Sequence, residues 1–131
     1  MSYITELMDN IAEAAEETTP YATIVYGSDP PLNGICMIQN GGIPADTHLD
    51  KGMLVRLPVL LNGKHSNQQT VLEALTAIHT ALVKRTSYTD LSTEAVQVIN
   101  IATTSAPAII GREQNHQWIC GSSFEVSFYW R

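Results

Sequence analysis

Four histidines, two cysteines and a handful of acidic residues are the raw material from which a catalytic or metal site could be built. His48, His65, His79 and His116 include no pair at the i, i+4 spacing of a helical metal site. His79 falls beside the apolar stripe of a helix and reads as a partly buried structural residue. Asp46, His48 and Asp50 alternate in a loop and offer oxygen, nitrogen and oxygen. That run lacks the ligand count of an EF-hand and its closing glutamate, so it reads as solvated loop charge. Cys36 and Cys120 are far apart and form no zinc-type pair, and they read as two reduced, small, buried hydrophobes. For Cys120 to act as a nucleophile it needs a base within hydrogen-bond reach, with His116 or His65 as the candidates.

Other chemical motifs fail on spacing. Gly41-Gly42 is followed by neither a GK[ST] nor a GxGxxG pattern, so no phosphate cradle is implied. Ser122-Ser123 lacks the flanking glycines of a nucleophile elbow. Glu73 stands alone on its helix, and Asp9, Glu13 and Glu17 lie a turn apart on what reads as a solvated face. Trp118, Phe124, Phe128, Tyr129 and Trp130 offer rings on which bases could stack, but such platforms are interleaved with cations. Only Arg112 and Arg131 are near, so the rings read as core and subunit-contact packing. The sequence assigns no catalytic residue, no cofactor site and no metal ligand.

The elements that would carry these side chains follow from periodicity. Residues 3–17, capped by Ser2, place Ile4, Leu7, Met8, Ile11 and Ala15 on one stripe. Glu16 and Glu17 oppose the dipole at its end, which predicts fraying or a cation from elsewhere. Pro20 stops the helix. Tyr21–Tyr26 reads as a strand by its β-branched and aromatic content. Residues 27–53 read as a long irregular loop or arm, rich in glycine and proline and interrupted by a short strand at Ile35–Gln39. Leu54–Leu61 is a strand in which Pro58 predicts an edge or bulge. Asn62-Gly63 reads as a turn, and Ser66 with Gln69 as a capping box opening a helix over 67–85. That helix puts Val71, Leu75, Ile78 and Leu82 on one face. Strands follow at Glu94–Ala102, at Ala106–Gly111 after a turn at Thr104-Ser105, at Trp118–Gly121 and at Phe124–Trp130. In the last, Phe124, Val126, Phe128 and Trp130 alternate with Glu125, Ser127 and Tyr129. Tyr129 therefore points away from the core and is a contact candidate.

Helix, strands, helix, strands is an α+β order: a mostly antiparallel sheet, two helices on one face and a C-terminal β-hairpin. At 131 residues the chain is one domain, 1–131, with enough length to bury a core. No apolar run approaches the roughly 18 residues of a membrane span. The N-terminal stretch lacks the basic and apolar regions of a signal peptide, so the chain reads as soluble and intracellular. The net charge of −6, with seven scattered cations, excludes a basic footprint for nucleic acid or anionic lipid. Only 15% of residues are charged, below the roughly 25–35% of a designed monomer's surface. This is a sign that other subunits cover part of it.

Two segments carry a family resemblance. "LVRLPVLLNGKHSNQQTVLEALTAIHTALVK", residues 54–84, passes from strand to helix. "PAIIGREQNHQWICGSSFEVSFYWR", residues 107–131, opens a strand with proline, turns at a polar tip and closes on an aromatic-rich alternating strand. With the overall order and length, they resemble the phage minor capsid or tail terminator (tail completion, head-tail joining) proteins of long-tailed phages and prophages. The resemblance implies an antiparallel sheet against helices and a ring, commonly hexameric, at the head-proximal end of the tail tube. The partners it implies are further copies of the chain, the tail tube protein and the head-tail connector. DNA would pass through without being read, in a virion assembled in the host cytoplasm, with no membrane, enzymatic activity or cofactor. Acidic charge suits such a lumen, because it repels DNA. The subunit-contact candidates are Pro58, Arg112, Gln114, His116 and Tyr129. The runner-up is a small bacterial α+β ligand-binding or regulatory module, in which the same elements would enclose an apolar pocket.

Overall fold

The computed structural model describes residues 3–27, 29–39, 43–47 and 53–130. In chain order the elements are α1 (Tyr3–Glu16), β1 (Ile24–Tyr26), β2 (Ile35–Gln39), β3 (Ile43–Thr47), β4 (Met53–His65), α2 (Gln68–Val83), β5 (Val96–Arg112) and β6 (Trp118–Trp130). The strands form one sheet in the order β1-β2-β4-β6-β5, with β3 also paired to β4. Every described pairing is antiparallel except β1 with β2. β5 and β6 form the C-terminal hairpin. The architecture is α+β, as the element order implies.

Alternation decides the two faces of the sheet. In β4, Val55, Leu57, Val59 and Leu61 are buried. In β6, Phe124, Val126 and Phe128 are their counterparts, and β2 adds Ile35 and Met37. These residues meet Val71, Leu75, Ile78 and Leu82 of α2 and Leu7, Met8 and Ile11 of α1 in one core. Full burial of each such side chain is worth roughly 1.5–3 kcal/mol. Tyr26 shares the inner face with Met37, and its hydroxyl donates to Asp9 of α1. Both helices therefore lie on the same side. At the acidic end of α1, Glu16 Oε1 accepts the Ile24 amide at 3.2 Å.

Several boundaries differ from the sequence reading, each for a tertiary reason. Asn62-Gly63 is not a turn. β4 runs straight through it, because Asn62 and Gly63 pair with Cys36 and Ile35 on one side and with Gly121 and Cys120 on the other. Thr104-Ser105 is likewise interior to β5, whose 17 residues oppose the 13 of β6 through four register shifts. The bulges absorb residues that locally read as turn. β6 is continuous through Gly121-Ser122-Ser123 for the same reason. The α2 cap is Asn67, not Ser66: the Asn67 side chain accepts from Gln69 N at 3.0 Å and Thr70 N at 3.2 Å. β1 is shorter than Tyr21–Tyr26. Part of the supposed 27–53 arm is ordered sheet, since β2 is joined by β3 against residues 53–56 of β4. The Ser2 cap lies outside the described residues.

Pro58 is not at an edge. β4 is the central strand, with β6 on one flank and β2 and β3 on the other. β2 pairs with residues 59–63 and β3 with 53–56, so Pro58 falls between the two runs. A residue without an amide donor is tolerated at such a gap.

Candidate functional site

The chemical candidates are engaged structurally. Cys120 is wholly buried and its thiol is pushed up to about 11 by burial, the reverse of an activated nucleophile. His65 packs edge-on against Tyr21, and its Nδ1 accepts the Asn67 amide at 2.9 Å. His116 Nδ1 accepts from Arg112 Nη2 at 3.0 Å. Cys36 and Cys120 point to opposite faces of the sheet, as their partners Asn62 and Gly63 alternate. No group of three or more His, Cys, Asp and Glu among the described residues is set to hold a metal. His48 and Asp50 lie outside the described residues, and of Asp46 only the backbone, in β3, is described. No described helix is long and apolar enough to cross a membrane.

His79 carries the clearest electrostatic signature on α2. Its Nε2 lies 2.8 Å from Thr103 Oγ1, Nδ1 is buried without a partner, and burial holds its pKa below the usual histidine value. The fold thus keeps a neutral ring, whereas the unfolded chain takes up a proton near 6.5. Stability is fully present above that pH and is lost as pH falls through the depressed folded value. We expect urea midpoints to fall between about pH 7.5 and about pH 5 in the wild type, and less steeply in His79→Gln. Equal slopes in the two proteins would show that another group governs the acid limb.

A second feature was not visible in the sequence. At the end of β4, Lys64 lies on the helix-free face, yet its side chain is only 7% exposed. Its Nζ is 2.9 Å from Asp29 Oδ1 and 3.1 Å from Glu113 Oε1. Asp29 comes from the β1–β2 connection and Glu113 from the β5–β6 tip. Beside them the Asn33 amide donates to Gln117 Oε1 at 2.8 Å, and Gln117 Nε2 donates back to Asn33 Oδ1 at 3.2 Å. Asn33 and His116 both hold positive φ, at 48° and 65°. Lys64 and this reciprocal pair join two loops, remote in sequence, at one end of the molecule. The Asp29 carboxylate raises the Lys64 pKa against the opposing cost of burial, with Glu113 assisting.

Three of the contact candidates meet at that end. Arg112 stacks over Trp118 at 5.0 Å, Gln114 is exposed in the turn, and His116 follows it. Tyr129 is elsewhere, half-buried on the helix-free face opposite Leu54 and Gln97. Pro58 is on that face too, in the sheet interior. No described helix covers this face, where Leu54, Leu60, Ser123, Glu125 and Ser127 are half-buried.

No family model and no curated protein matches this sequence. A solved structure does. The chain has the fold of a component of the virion of a native gene transfer agent particle, with a TM-score of 0.67. The match covers 98% of this chain and 99% of that one at 14% identity, so the likeness is one of fold across the full extent of both.

Proposed function

We propose that this chain is a structural protein of a phage-type virion. In the finer reading it is a tail terminator or head-tail joining subunit, which forms a ring on the tail tube and presents a docking face to the head connector. The observation that carries the reading is the end-to-end fold likeness to a gene transfer agent virion component, met independently by the resemblance of residues 54–84 and 107–131. The surface supports it: one whole sheet face lacks a helical cover among the described residues, and the charge fraction is low. On this reading DNA passes an acidic lumen unread, and the chain performs no bond chemistry and needs no cofactor.

The pocket-bearing alternative is less well supported. The groove between α1 and β1, lined by Ile4, Thr5, Met8, Tyr26 and Gln39, holds about 200 Å³, and a more open apolar one on α2, at Leu72, Ala77 and Ala81, about 580 Å³. Ligand pockets usually bury most of the ligand around convergent polar groups, whereas both of these grooves open to solvent. Electron microscopy of particles assembled without this chain tests the proposal. The expected result is tails of abnormal length, or tails detached from filled heads. Normal tails joined to heads would overturn it.

A further inference from the structure

Five large apolar side chains stand exposed among the described residues: Val25, Tyr26, Leu32, Ile99 and Ile110. Four of them lie on the two strands that end the sheet, Val25 and Tyr26 on β1 and Ile99 and Ile110 on β5. Edges are normally guarded by charge. Here no charged residue occurs from Val96 to Gly111 or from Ala22 to Gly27. An edge without such guards is open to pairing with another chain.

The register adds direction. Val25 pairs with Cys36, Cys36 with Asn62, Asn62 with Gly121 and Gly121 with Ala108, a single row across the full width of the sheet. Ile110, in the bulge between Ile109 and Gly111, lies over Gly121, where a Cβ would collide with its Cδ1. Val25, 42% exposed, and Ile110, 69% exposed, thus flank one row on the helix-free face at opposite ends. Following the pairings across the sheet, β1 and β5 run in opposite directions, so a neighbour in the same orientation would set its β1 antiparallel to β5.

We propose that copies of this chain meet head to tail, with the β5 edge of one against the β1 edge of the next and Ile110 packed on the neighbour's Val25. The contact deepens the ring reading above and rests on it for the identity of the occupant. Two different edges make the contact heterologous, and such a contact closes a ring when the rotation between neighbours divides a full turn. Four bulges interrupt β5, so side chains carry the contact more than a continuous hydrogen-bond ladder.

Val25→Asp and Ile110→Asp, in the full chain, test this by light scattering after size exclusion. The wild type should form a closed oligomer and each variant alone a monomer. Their equimolar mixture should give a 1:1 dimer and nothing larger, because one intact edge of each kind remains. Val25→Ser and Ile110→Ser, with circular dichroism on all four, guard against misfolding and should weaken assembly without abolishing the fold. A monomeric wild type, variants that assemble like the wild type, or a Val25→Asp chain that dimerises with itself would each overturn the proposal. Particles separate it from the ring reading. Edge variants that stay monomeric yet yield normal tails retain the contact and sink the ring reading. Defective tails without the chain, together with variants that assemble normally, do the reverse.

Discussion

Gly63→Val is expected to lower stability by about 3 kcal/mol or slightly more, read as a drop in the urea midpoint at unchanged slope. A Cβ at Gly63 would stand 2.8 Å from Leu75 Cδ1, 3.0 Å from Val71 Cγ2 and 3.1 Å from Tyr21 Oη. The first two belong to α2, so the glycine sets how closely the helix approaches the central strand. The third is hydrogen-bonded: Tyr21 Oη lies 2.9 Å from Lys64 O and 3.0 Å from Gly34 O. A valine must push α2 away or rotate Tyr21 out of both contacts, and either response opens the core. Backbone strain is not the cause, because among the described glycines only Gly27 has positive φ. Gly111→Ala is the control. No atom lies within 4 Å of its built Cβ, so a change of about 0.5 kcal/mol or less is expected. Equal effects in the two variants would refute close packing as the role of Gly63.

The same glycine shows where the sequence was legible and where it was not. The apolar stripes of α1 and α2 and the alternation in Phe124–Trp130 were readable, because a helix or strand with one buried face imposes its period on the residues. Turn chemistry misled at Asn62-Gly63, Thr104-Ser105 and Gly121-Ser122-Ser123. These residues carry high turn propensity, but strands on either side supply backbone partners that a turn would forfeit. β3 escaped notice because Ile43-Pro44-Ala45-Asp46-Thr47 has no clean alternation and contains a register shift. It is a strand only because β4 is long enough to pair with it.

The candidate surfaces divide in the same way. The hairpin tip bearing Arg112, Gln114 and His116 was foreseeable, since a polar run between two strand-like runs marks a turn. The edge position of Pro58 was inferred from a missing donor, and that constraint is met equally well by a gap between β2 and β3. Strand order, which the local pattern does not encode, determines that Val25 and Ile110 sit at opposite ends of one row. Lys64 gave no local signal, since the sequence pattern ends the strand at Leu61 and marks Asn62-Gly63 as a turn. Its partners Asp29 and Glu113 lie 35 and 49 positions away, so no local pattern could join them.

Removing those partners should cost more than removing Lys64 itself. In Lys64→Met the apolar stem is kept and the two carboxylates turn to water, Asp29 being 82% and Glu113 36% exposed. A loss of about 1 kcal/mol is expected, the scale of one net hydrogen bond. In Asp29→Ala with Glu113→Ala the ammonium loses both counter-charges while the truncated side chains let water reach it, and about 2 kcal/mol is expected, the scale of a hydrogen bond to a charged group. The alkaline limb provides a second test. In the wild type the Lys64 pKa is raised, so its contribution is fully present below about 10.5 and fades as pH climbs through the folded value. In the double variant the folded value loses that increase, so little of its stability depends on the Lys64 proton. Tyr21 and Tyr26 also weaken the fold in that range, since burial raises both phenols, but they do so in both proteins. The gap between wild type and double variant should therefore narrow as pH climbs above about 10.5. A gap that is constant with pH, or a Lys64→Met loss as large as that of the double variant, would show that the loops are held by the Asn33–Gln117 pair and packing, with Lys64 incidental.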